Sequence, residues 1–392
     1  MKRNIYLKTI PPAEAVARVK ASIDREALIR EETIPSHEAS GRVLAHAVHA
    51  RYSSPTFHSA AMDGYAVNAR STFAAREGHP LTLKAGETCF AVNTGHPMPE
   101  GCDAVIMIEQ VVLDGGSVTI EAPAFPWQHV RRIGEDIVAT ELLFPRNHQL
   151  RPWDVGALLS GGIWDVPVWE RVTVRIIPTG DEVLDFTTHP DPGKGQVVES
   201  NSQMLAALAR ELGCVVERAA PVPDNPEALH QALKDSLDAG RHLTIFCAGS
   251  SAGSKDFTRA TLEKEGEILT HGIAAMPGKP SLLANCRGRL VAGAPGYPVS
   301  ALVCFKELLE PLISWLSHRE PPAKTVVPVE LTRTVPSRPG VEEHVRVSIG
   351  RVGDKLVATP LGRGAGNITT VTRAQGDVRI PEQRWLGRGA PS

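Results

Sequence analysis

The stretch VTVRIIPTGDEV, residues 172–183, decides the fold class of this chain. Its apolar half, Val172 to Ile177, predicts a buried strand, and PTGDE (178–182) predicts the loop that follows it. A helix is predicted next through MLAALAREL, capped by Ser200 or Asn201. This is the first strand–loop–helix unit of an α/β domain.

The same rhythm continues along the chain. A strand begins at Val215–Val216, and Asp224 is predicted to cap a helix that carries an apolar residue every fourth position. Leu243 to Cys247 is the next strand, and GAPGYPVSA (293–301) opens a final helix that runs to about Ser317. Such alternation predicts a mostly parallel sheet with helices on both faces.

The flanking segments have other patterns. Pro12 to Arg30 shows an approximate helical stripe, whereas residues 50–133 show short strands with a hairpin turn at Asp114–Gly116. Beyond the linker Pro321–Pro322, four short β-like segments predict a small β-barrel or sandwich. They are Val326–Leu331, His344–Ile349, Leu356–Thr359 and Val378–Ile380.

Composition excludes several classes of protein. The 392 residues carry a net charge of −2, so no global field favours nucleic acid or an anionic membrane. None of the six cysteines forms a C-x-x-C pair, and no signal peptide or apolar run of membrane-spanning length is seen. We expect a cytoplasmic protein that binds neither nucleic acid nor membrane.

Three loops lie at predicted strand ends, where open α/β sheets bind ligands. They are PTGDE (178–182), AGSSAGSKD (248–256) and GAPGYPVS (293–300). Glycine lets the backbone approach a ligand, and successive N–H groups can hold an anion, although each loop alone is more often only a tight connection. The ligand-binding candidates in these loops are Thr179, Gly180, Asp181, Gly249, Ser250, Ser251, Gly253, Gly296 and Ser300.

The loops match neither the Walker pattern nor the G-x-G-x-x-G dinucleotide fingerprint. They do carry carboxylates, and carboxylates beside phosphates are suited to Mg²⁺, which takes oxygen ligands. Asp224 could equally cap its helix, and Asp136 could be a turn residue. We expect Glu182 and Asp256 to be the metal ligands in one pocket. The full set of loop carboxylates is Asp63, Asp136, Asp181, Glu182, Asp224 and Asp256.

Seven motifs in register resemble those of the MoeA family of molybdopterin molybdotransferases, which includes the gephyrin E domain. The resemblance covers nearly the whole chain. The motifs are AAMDGYAV (60–67), NTGHPMPEGCDAVIMIE (93–109), RRIGEDI (131–137), PTGDEV (178–183), GQVVESNSQML (195–205), PGKP (277–280) and PGYPVSA (295–301).

The resemblance implies a multi-domain subunit of α/β plus β class. Residues 1–48 and 134–171 would form an N-terminal helical and linking domain, into which a β-rich domain (49–133) is inserted. A MoaB-like α/β domain (172–322) would bind molybdopterin. A C-terminal β-barrel (323–392) would end the chain.

The resemblance also implies an activity. The chain would insert molybdate, or tungstate, into adenylylated molybdopterin, with Mg²⁺-dependent hydrolysis and release of AMP. Family members are homodimers whose active site lies between subunits. Transient contact with an adenylyltransferase or with later cofactor-assembly proteins is implied as well.

Carried over by motif match, six polar residues occupy the family's catalytic positions, and Pro295 and Pro298 occupy those of its two loop prolines. Carboxylates would position Mg²⁺ and orient water, while backbone N–H groups hold phosphates. The six residues are Asp63, Thr94, Asp136, Glu182, Asp224 and Asp256.

The chain departs from the family pattern where positive charge is expected. Two lysines of the family's K-x-x-x-K-P-G-K-P are Gly272 and Met276 here, so only Lys279 remains. Lys255 is a charge gained, and we hypothesise that Lys255 and Lys279 together serve the anion site. PGNP has become PGYP and QGS has become AGN (365–367). These features resemble a subgroup often fused to a periplasmic-binding-protein-like domain.

A second function stays open at this point. The missing lysines would also fit a pterin or oxyanion carrier or sensor that has kept the fold and lost turnover. The carboxylate set favours the enzyme, because a passive carrier needs no Mg²⁺ site.

Overall fold

The computed structural model describes residues 9–247 and 257–382. The chain divides into two compact units, one formed by Met1–Glu31 with Trp169–Ser392 and the other by Glu32–Val168. The finer division into four domains stays a prediction.

The described elements are numbered in chain order. The helices are α1 (Pro12–Ser22), α2 (Arg25–Leu28), α3 (Pro152–Ser160), α4 (Asn201–Glu211), α5 (Pro226–Asp238), α6 (Phe257–Glu265), α7 (Pro298–Cys304), α8 (Glu310–Leu316) and α9 (Thr369–Thr372). The strands are β1 (Glu31–Pro35), β2 (Val48–His49), β3 (Ser59–Ala60), β4 (Gly64–Val67), β5 (Leu81–Lys84), β6 (Cys89–Val92), β7 (Ala104–Met107), β8 (Val111–Asp114), β9 (Ser117–Ile120), β10 (Val130–Arg131), β11 (Leu142–Phe144), β12 (Asp165–Trp169), β13 (Thr173–Pro178), β14 (Val183–Leu184), β15 (Val197–Val198), β16 (Val215–Arg218), β17 (Leu243–Cys247), β18 (Gly266–His271), β19 (Ala275–Met276), β20 (Leu282–Cys286), β21 (Arg289–Ala294), β22 (Glu330–Leu331), β23 (Glu342–Val352), β24 (Lys355–Pro360) and β25 (Gly376–Ile380).

The unit Glu32–Val168 is rich in short antiparallel strands. Two three-stranded sheets, β6-β4-β7 and β5-β9-β8, pack around buried residues such as Val67, Leu83 and Ile120. The predicted hairpin is confirmed, because β8 and β9 pair antiparallel on either side of Gly115–Gly116. Gly64 begins β4 where a Cβ atom would lie 2.0 Å from the carbonyl oxygen of Ile106, so only glycine fits there.

The second unit contains a six-stranded sheet of order β16-β13-β17-β21-β20-β18. The first four strands are parallel, whereas β20 and β18 join antiparallel. The prediction of a mostly parallel sheet is therefore confirmed, although β18 and β20 were not predicted. The parallel arrangement brings the ends of β13, β16, β17 and β21 to one edge of the sheet.

Helix α5 packs its four-residue stripe onto this sheet. Leu229, Leu233 and Leu237 are all buried, in one cluster with Ile177 and Phe246. The prediction that Asp224 caps this helix is wrong. Asn225 is the cap, and its side chain accepts a hydrogen bond from the backbone N–H of Ala228 at 2.8 Å. Asparagine and aspartate satisfy free helix N–H groups equally well, so the sequence could not choose between neighbours.

The predicted N-terminal helix is two helices. α1 ends at Ser22, and Asp24 then caps α2 by accepting a hydrogen bond from the backbone N–H of Ala27 at 3.1 Å. Asp24 competes with the helical backbone for its hydrogen bonds, which ends the first helix. The buried stripe Val16, Val19 and Ile23 is as predicted.

The C-terminal residues are rich in β-strands, as predicted, and the small barrel or sandwich expected there stays a prediction. The sheet there has the order β19-β23-β24-β22, with β25 also paired to β23. One strand was not predicted: β19 comes from the α/β part of the chain and pairs parallel with β23, with Met276 opposite Glu343. A two-residue strand has no readable periodicity, so only the fold reveals this pairing.

Among the described residues, no helix is long and apolar enough to span a membrane. The six cysteines are all free, and every one except Cys102 is buried. The buried cysteines are therefore small core residues of the fold.

Candidate functional site

The loop after β13 is fixed by hydrogen bonds to its neighbours. The backbone N–H and the hydroxyl of Thr179 both donate to the carbonyl oxygen of Cys247, at 2.9 and 3.1 Å. The N–H of Gly180 donates to the carbonyl of Val222 at 3.2 Å. The buried Thr179 side chain thus anchors the loop, and the residues after it lie at the sheet edge.

Two carboxylates of this loop are exposed, and they differ in their contacts. Oδ1 of Asp181 accepts a hydrogen bond from the backbone N–H of Asp224 at 3.1 Å, so the structure brings these two predicted residues together. The carboxylate of Glu182 receives no hydrogen bond from any described residue. An exposed oxygen pair without a donor can bind a cation or a water.

Gly180 explains why the carboxylate of Glu182 folds back over its own loop. Gly180 has a φ of +137°, and a Cβ atom there would lie 3.0 Å from each carboxylate oxygen of Glu182. The glycine therefore provides both the backbone conformation and the space that the carboxylate occupies.

The second predicted loop lies outside the described residues. It contains Gly249, Ser250, Ser251, Gly253, Lys255 and Asp256. The pairing of Glu182 with Asp256, and the role of Lys255, therefore stay predictions.

The loop after β21 leads into a helix that continues through a π-helical turn, Phe305–Leu309, into α8. Pro295 and Ser300 are buried, Pro298 begins α7, and the carbonyl of Gly296 accepts a hydrogen bond from the Asn201 side chain at 2.7 Å. These contacts make the loop part of the packed domain.

Two departures from the family pattern meet at this loop. Tyr297 is 66% exposed, and a Cβ atom on Gly366 would lie 3.4 Å from its ring. The N–H of Val299 also donates to the carbonyl of Ala365 at 3.0 Å. The tyrosine of PGYP thus packs against the AGN segment, whose glycine leaves room for the ring.

The PGKP loop precedes β20 and packs against α7. Gly278 has a φ of +120°, and a Cβ atom there would lie 3.3 Å from the side chain of Val303. The Ser281 hydroxyl donates to the carbonyl of Gly278 at 2.7 Å, while the Lys279 side chain is exposed. Gly272 has a φ of +107°, which disfavours any side chain at this former lysine position.

A pocket of about 330 Å³ opens beside Met276, the second lysine position of the family pattern. Sequence reasoning assigned no site residue to the C-terminal domain and so missed it. The sequence feature that could have indicated this pocket is that Arg338 and Arg363 lie in glycine-containing loops. The residues that matter for its chemistry are Met276, Ser337, Arg338, Glu343, His344 and Arg363.

In the motif GQVVESN, the carboxylate of Glu199 has a structural role. Glu199 is buried and accepts a hydrogen bond from the backbone N–H of Ser202 at 2.7 Å, near the start of α4. Arg218 lies 3.5 Å from the same carboxylate and 3.2 Å from Asp185. Glu199 therefore has its oxygens occupied, in contrast to Glu182.

In the other unit, the AAMDGYAV and NTGHP motifs meet. The backbone N–H of Thr94 donates to Oδ1 of Asp63 at 2.7 Å, and both residues are exposed. Asp136 is exposed in a separate loop, where its backbone N–H donates to the carbonyl of Ser54 at 3.1 Å. The structure therefore brings Asp63 and Thr94 together, and their role in the reaction stays a prediction.

One group of three potential metal ligands occurs among the described residues. Glu307, Glu342 and His344 have ligand atoms within 4.8 Å of one another. Glu307 already forms ion pairs with Arg379 and with Lys324, the latter at 3.6 Å. This group is a salt-bridge network that joins β23 and β25 to the π-helical turn.

Comparison with known proteins identifies the class. Three family models match in order: the MoeA N-terminal region (domain I and II) at residues 10–162, a probable molybdopterin binding domain at 175–315, and the MoeA C-terminal region (domain IV) at 328–390. Together they define a protein of molybdenum cofactor biosynthesis with a pterin-binding α/β domain.

Individual relatives agree. The molybdopterin molybdenumtransferase of Haemophilus influenzae is 34% identical over 309 residues, 74% of each chain. Molybdopterin molybdenumtransferase 2 of Mycobacterium tuberculosis is 31% identical over 382 residues, 90% of this chain and 91% of the relative. A crystal structure of the MoeA protein from Pyrococcus horikosii superposes with a TM-score of 0.81 at 29% identity, covering 98% of both chains.

The chain belongs to the MoeA family of molybdopterin molybdenumtransferases. The predicted family, fold class and enzyme class are confirmed. The resemblance to the fused subgroup stays a prediction.

Proposed function

We propose that the chain binds adenylylated molybdopterin and molybdate, or tungstate, at the strand ends of the α/β domain, and releases AMP as the metal is inserted. The observation that carries this proposal is the carboxylate of Glu182. It is exposed, it lacks a donor among the described residues, and it lies in a loop that Thr179 and Gly180 hold in place. An exposed carboxylate without a donor is free to bind a cation or a water.

The proposed reaction is hydrolysis of a phosphoanhydride. The oxygen of water bonds to one phosphorus, the bridging P–O bond breaks, and AMP leaves as the pterin keeps its own phosphate. Asp181, Glu182 and Asp224 would orient that water and accept its proton, which then passes to solvent. Catalysis of this type depends on positioning and on charge neutralisation.

Mg²⁺ fits the residues present. It usually keeps several waters and takes one or two carboxylates together with substrate phosphates, and Glu182 offers a free carboxylate at the sheet edge. We propose Glu182 and Asp256 as its ligands. When bound, the ion would neutralise charge on the phosphates.

We further propose that the active protein is a homodimer in which Asp63 and Thr94 complete the site of the partner. The support is the family membership and the exposed Asp63–Thr94 pair. Light scattering at micromolar concentration should give twice the 42.1 kDa mass of one chain. A mass equal to one chain would contradict the dimer.

The direct test is product analysis. The chain is incubated with adenylylated molybdopterin, molybdate and Mg²⁺, and AMP and molybdenum-loaded pterin are quantified together. The proposal predicts equal amounts of both products. Tight binding of pterin without AMP release would instead support a carrier or sensor of the same fold.

A further inference from the structure

The loop that carries Glu182 continues directly into a two-stranded ribbon. β14 follows Glu182 at once and pairs parallel with β15, and the backbone N–H of Val197 donates to the carbonyl of Glu182 at 2.9 Å. With the connection between them, these two strands form an arm, residues 183–198. The position of the Glu182 main chain therefore depends on the arm as well as on the loop that precedes it.

Most of the arm is exposed. Residues 187–189 and 191–198 are exposed, whereas Asp185 and Phe186 near its first end are half-buried. Glu199, directly after its second end, is buried. A segment that buries little surface of its own has low local stability. The contacts at the two ends therefore decide how well the arm is ordered.

Both ends of the arm contact one arginine of the sheet. Arg218 lies on β16, at the edge of the six-stranded sheet, and its side chain is only 12% exposed. Its two terminal nitrogens donate to the two carboxylate oxygens of Asp185 at 3.2 and 3.4 Å. The same guanidinium lies 3.5 Å from the carboxylate of Glu199. One side chain thus ties both ends of the arm to the sheet.

Further contacts hold the guanidinium group itself. Nε of Arg218 donates to the hydroxyl of Ser202 at 2.9 Å, and the guanidinium carbon lies 4.6 Å from the centre of the Phe186 ring. Arginine suits this position, because its planar fork can serve two carboxylates and stack on an aromatic ring at the same time. A lysine, with a single charged nitrogen, could not make all of these contacts.

We propose that Arg218 is a positioning residue for Glu182. By holding both ends of the arm against the sheet edge, it keeps the carboxylate of Glu182 in place for Mg²⁺. The inference rests on the proposed function, in which Glu182 binds the ion. Mg²⁺ demands short ligand distances in a nearly octahedral arrangement, so a displaced carboxylate binds it weakly. Arg218 itself lies outside all seven family motifs.

Binding of Mn²⁺ to the purified full chain tests the inference without turnover. Mn²⁺ takes the same oxygen ligands, and the free ion is measured by electron paramagnetic resonance. Glu182→Gln defines the part of the binding that belongs to this site. Arg218→Gln should weaken that part about tenfold or more, as expected when a group that orients a metal ligand is lost. Native affinity in the folded Arg218→Gln chain would overturn the inference.

Arg175→Gln is the matched control for this titration. Arg175 lies on β13 of the same sheet, and it forms an ion pair with Glu217 of β16 at 3.5 Å. Loss of this ion pair removes a similar contact from the sheet, so Mn²⁺ binding should stay native. A loss equal to that of Arg218→Gln would show a general effect of stability and would contradict the role of the arm.

A second variant covers the case in which Arg218→Gln does not fold. That variant leaves Glu199 buried without its cation, which is unfavourable, so thermal melting accompanies each titration. Asp185→Asn breaks the contact with the arm and leaves Arg218 paired with Glu199. It should weaken Mn²⁺ binding in the same direction, though by less. Unchanged affinity in folded Asp185→Asn would count against the proposal.

AMP release gives a readout that a purely structural role would not change. Arg218→Gln should raise the Mg²⁺ concentration for half-maximal release about tenfold and leave the rate at saturating Mg²⁺ near native. In the Glu182→Gln background it should add little further loss, because both changes act on one carboxylate. Additive losses would overturn the inference. Absence of AMP release from the native chain would defeat the proposed function, and Mn²⁺ binding would still decide the role of Arg218.

Discussion

The PTGDE loop at residues 178–182 and the PGKP segment at 272–280 belong to the same domain and differ in what they retain. The first keeps the acidic residues of its family motif, with Gly180 opening space for Glu182. The second has lost two lysines, and Gly272 adopts a backbone conformation that disfavours their return. The acidic residues of the PTGDE motif are retained, whereas two basic residues of the other motif are absent.

A carboxylate that binds a metal ion must lie within a short ligand distance of it, whereas a positive charge acts over a longer range. The loss of two lysines therefore leaves the placement of the PTGDE carboxylates unchanged. In this chain, β19 carries the altered segment into the C-terminal sheet, where Met276 lies opposite Glu343.

The largest expected effect is on AMP release, when the charge of Glu182 in the acidic PTGDE loop is removed. Glu182→Gln keeps the shape of the side chain and removes its charge, so AMP release should fall about 100-fold or more. Stability should change little, because no described residue depends on this carboxylate. Steady-state AMP release and thermal melting measure the two effects.

Glu227→Gln is the matched control, since Glu227 is an exposed residue in the first turn of α5. It should leave turnover unchanged. Equal rates for native, Glu182→Gln and Glu227→Gln chains would show that the loop carboxylate has no catalytic role.

Asp154 is a buried carboxylate near the start of α3, whereas Glu182 is exposed. Burial would raise its pKa, but hydrogen bonds from Arg151 and His148 outweigh burial and lower the pKa to about 2. A lowered carboxyl pKa stabilises the fold above the ordinary value near 3.8, and that stability is lost as the pH falls through about 2. The contribution at neutral pH is about 2 kcal/mol.

Asp154→Asn should therefore lower the free energy of unfolding by about 1–2 kcal/mol at neutral pH. Its stability should also depend less on pH between about 4 and 2 than that of the native chain. Denaturant unfolding at several pH values measures this. Turnover per folded molecule should stay native, and a loss comparable to that of Glu182→Gln would contradict the distinction between the two carboxylates.

The smallest expected effect is a difference in stability between the variants that restore lysine at position 272 and at position 276. Gly272→Lys should destabilise the chain by about 1–2 kcal/mol, because its φ of +107° is unfavourable for a side chain. Met276→Lys should cost less, since its side chain opens into the pocket. Chemical denaturation of both variants gives the comparison. Equal destabilisation would mean that backbone conformation does not explain the loss at position 272.

Much of the fold could be predicted because its signals are local. The strand predicted at Val172–Ile177 is Thr173–Pro178, and the leucine stripe of α5 is buried as expected. Errors occurred where neighbouring residues offer the same chemistry, as with Asp224 and Asn225 at the start of α5. The break at Asp24 has the same origin, since its side chain competes for helix hydrogen bonds.

The candidate site was predicted only in part. Motif matching named Asp63, Thr94, Asp181 and Asp224 as separate candidates, and the structure brings Asp63 into contact with Thr94 and Asp181 into contact with Asp224. The pocket beside Met276 could not be predicted, because Arg338 and Arg363 reach it only through the pairing of β19 with β23.

The central claim is that an acidic loop at the strand ends supports a Mg²⁺-dependent hydrolysis. The most direct test is the rate of AMP release from adenylylated molybdopterin as Mg²⁺ is titrated into chelator-treated native chain, with molybdate present. The account predicts negligible release without Mg²⁺ and a saturable rise as the ion is added. An undiminished rate in excess chelator would contradict it.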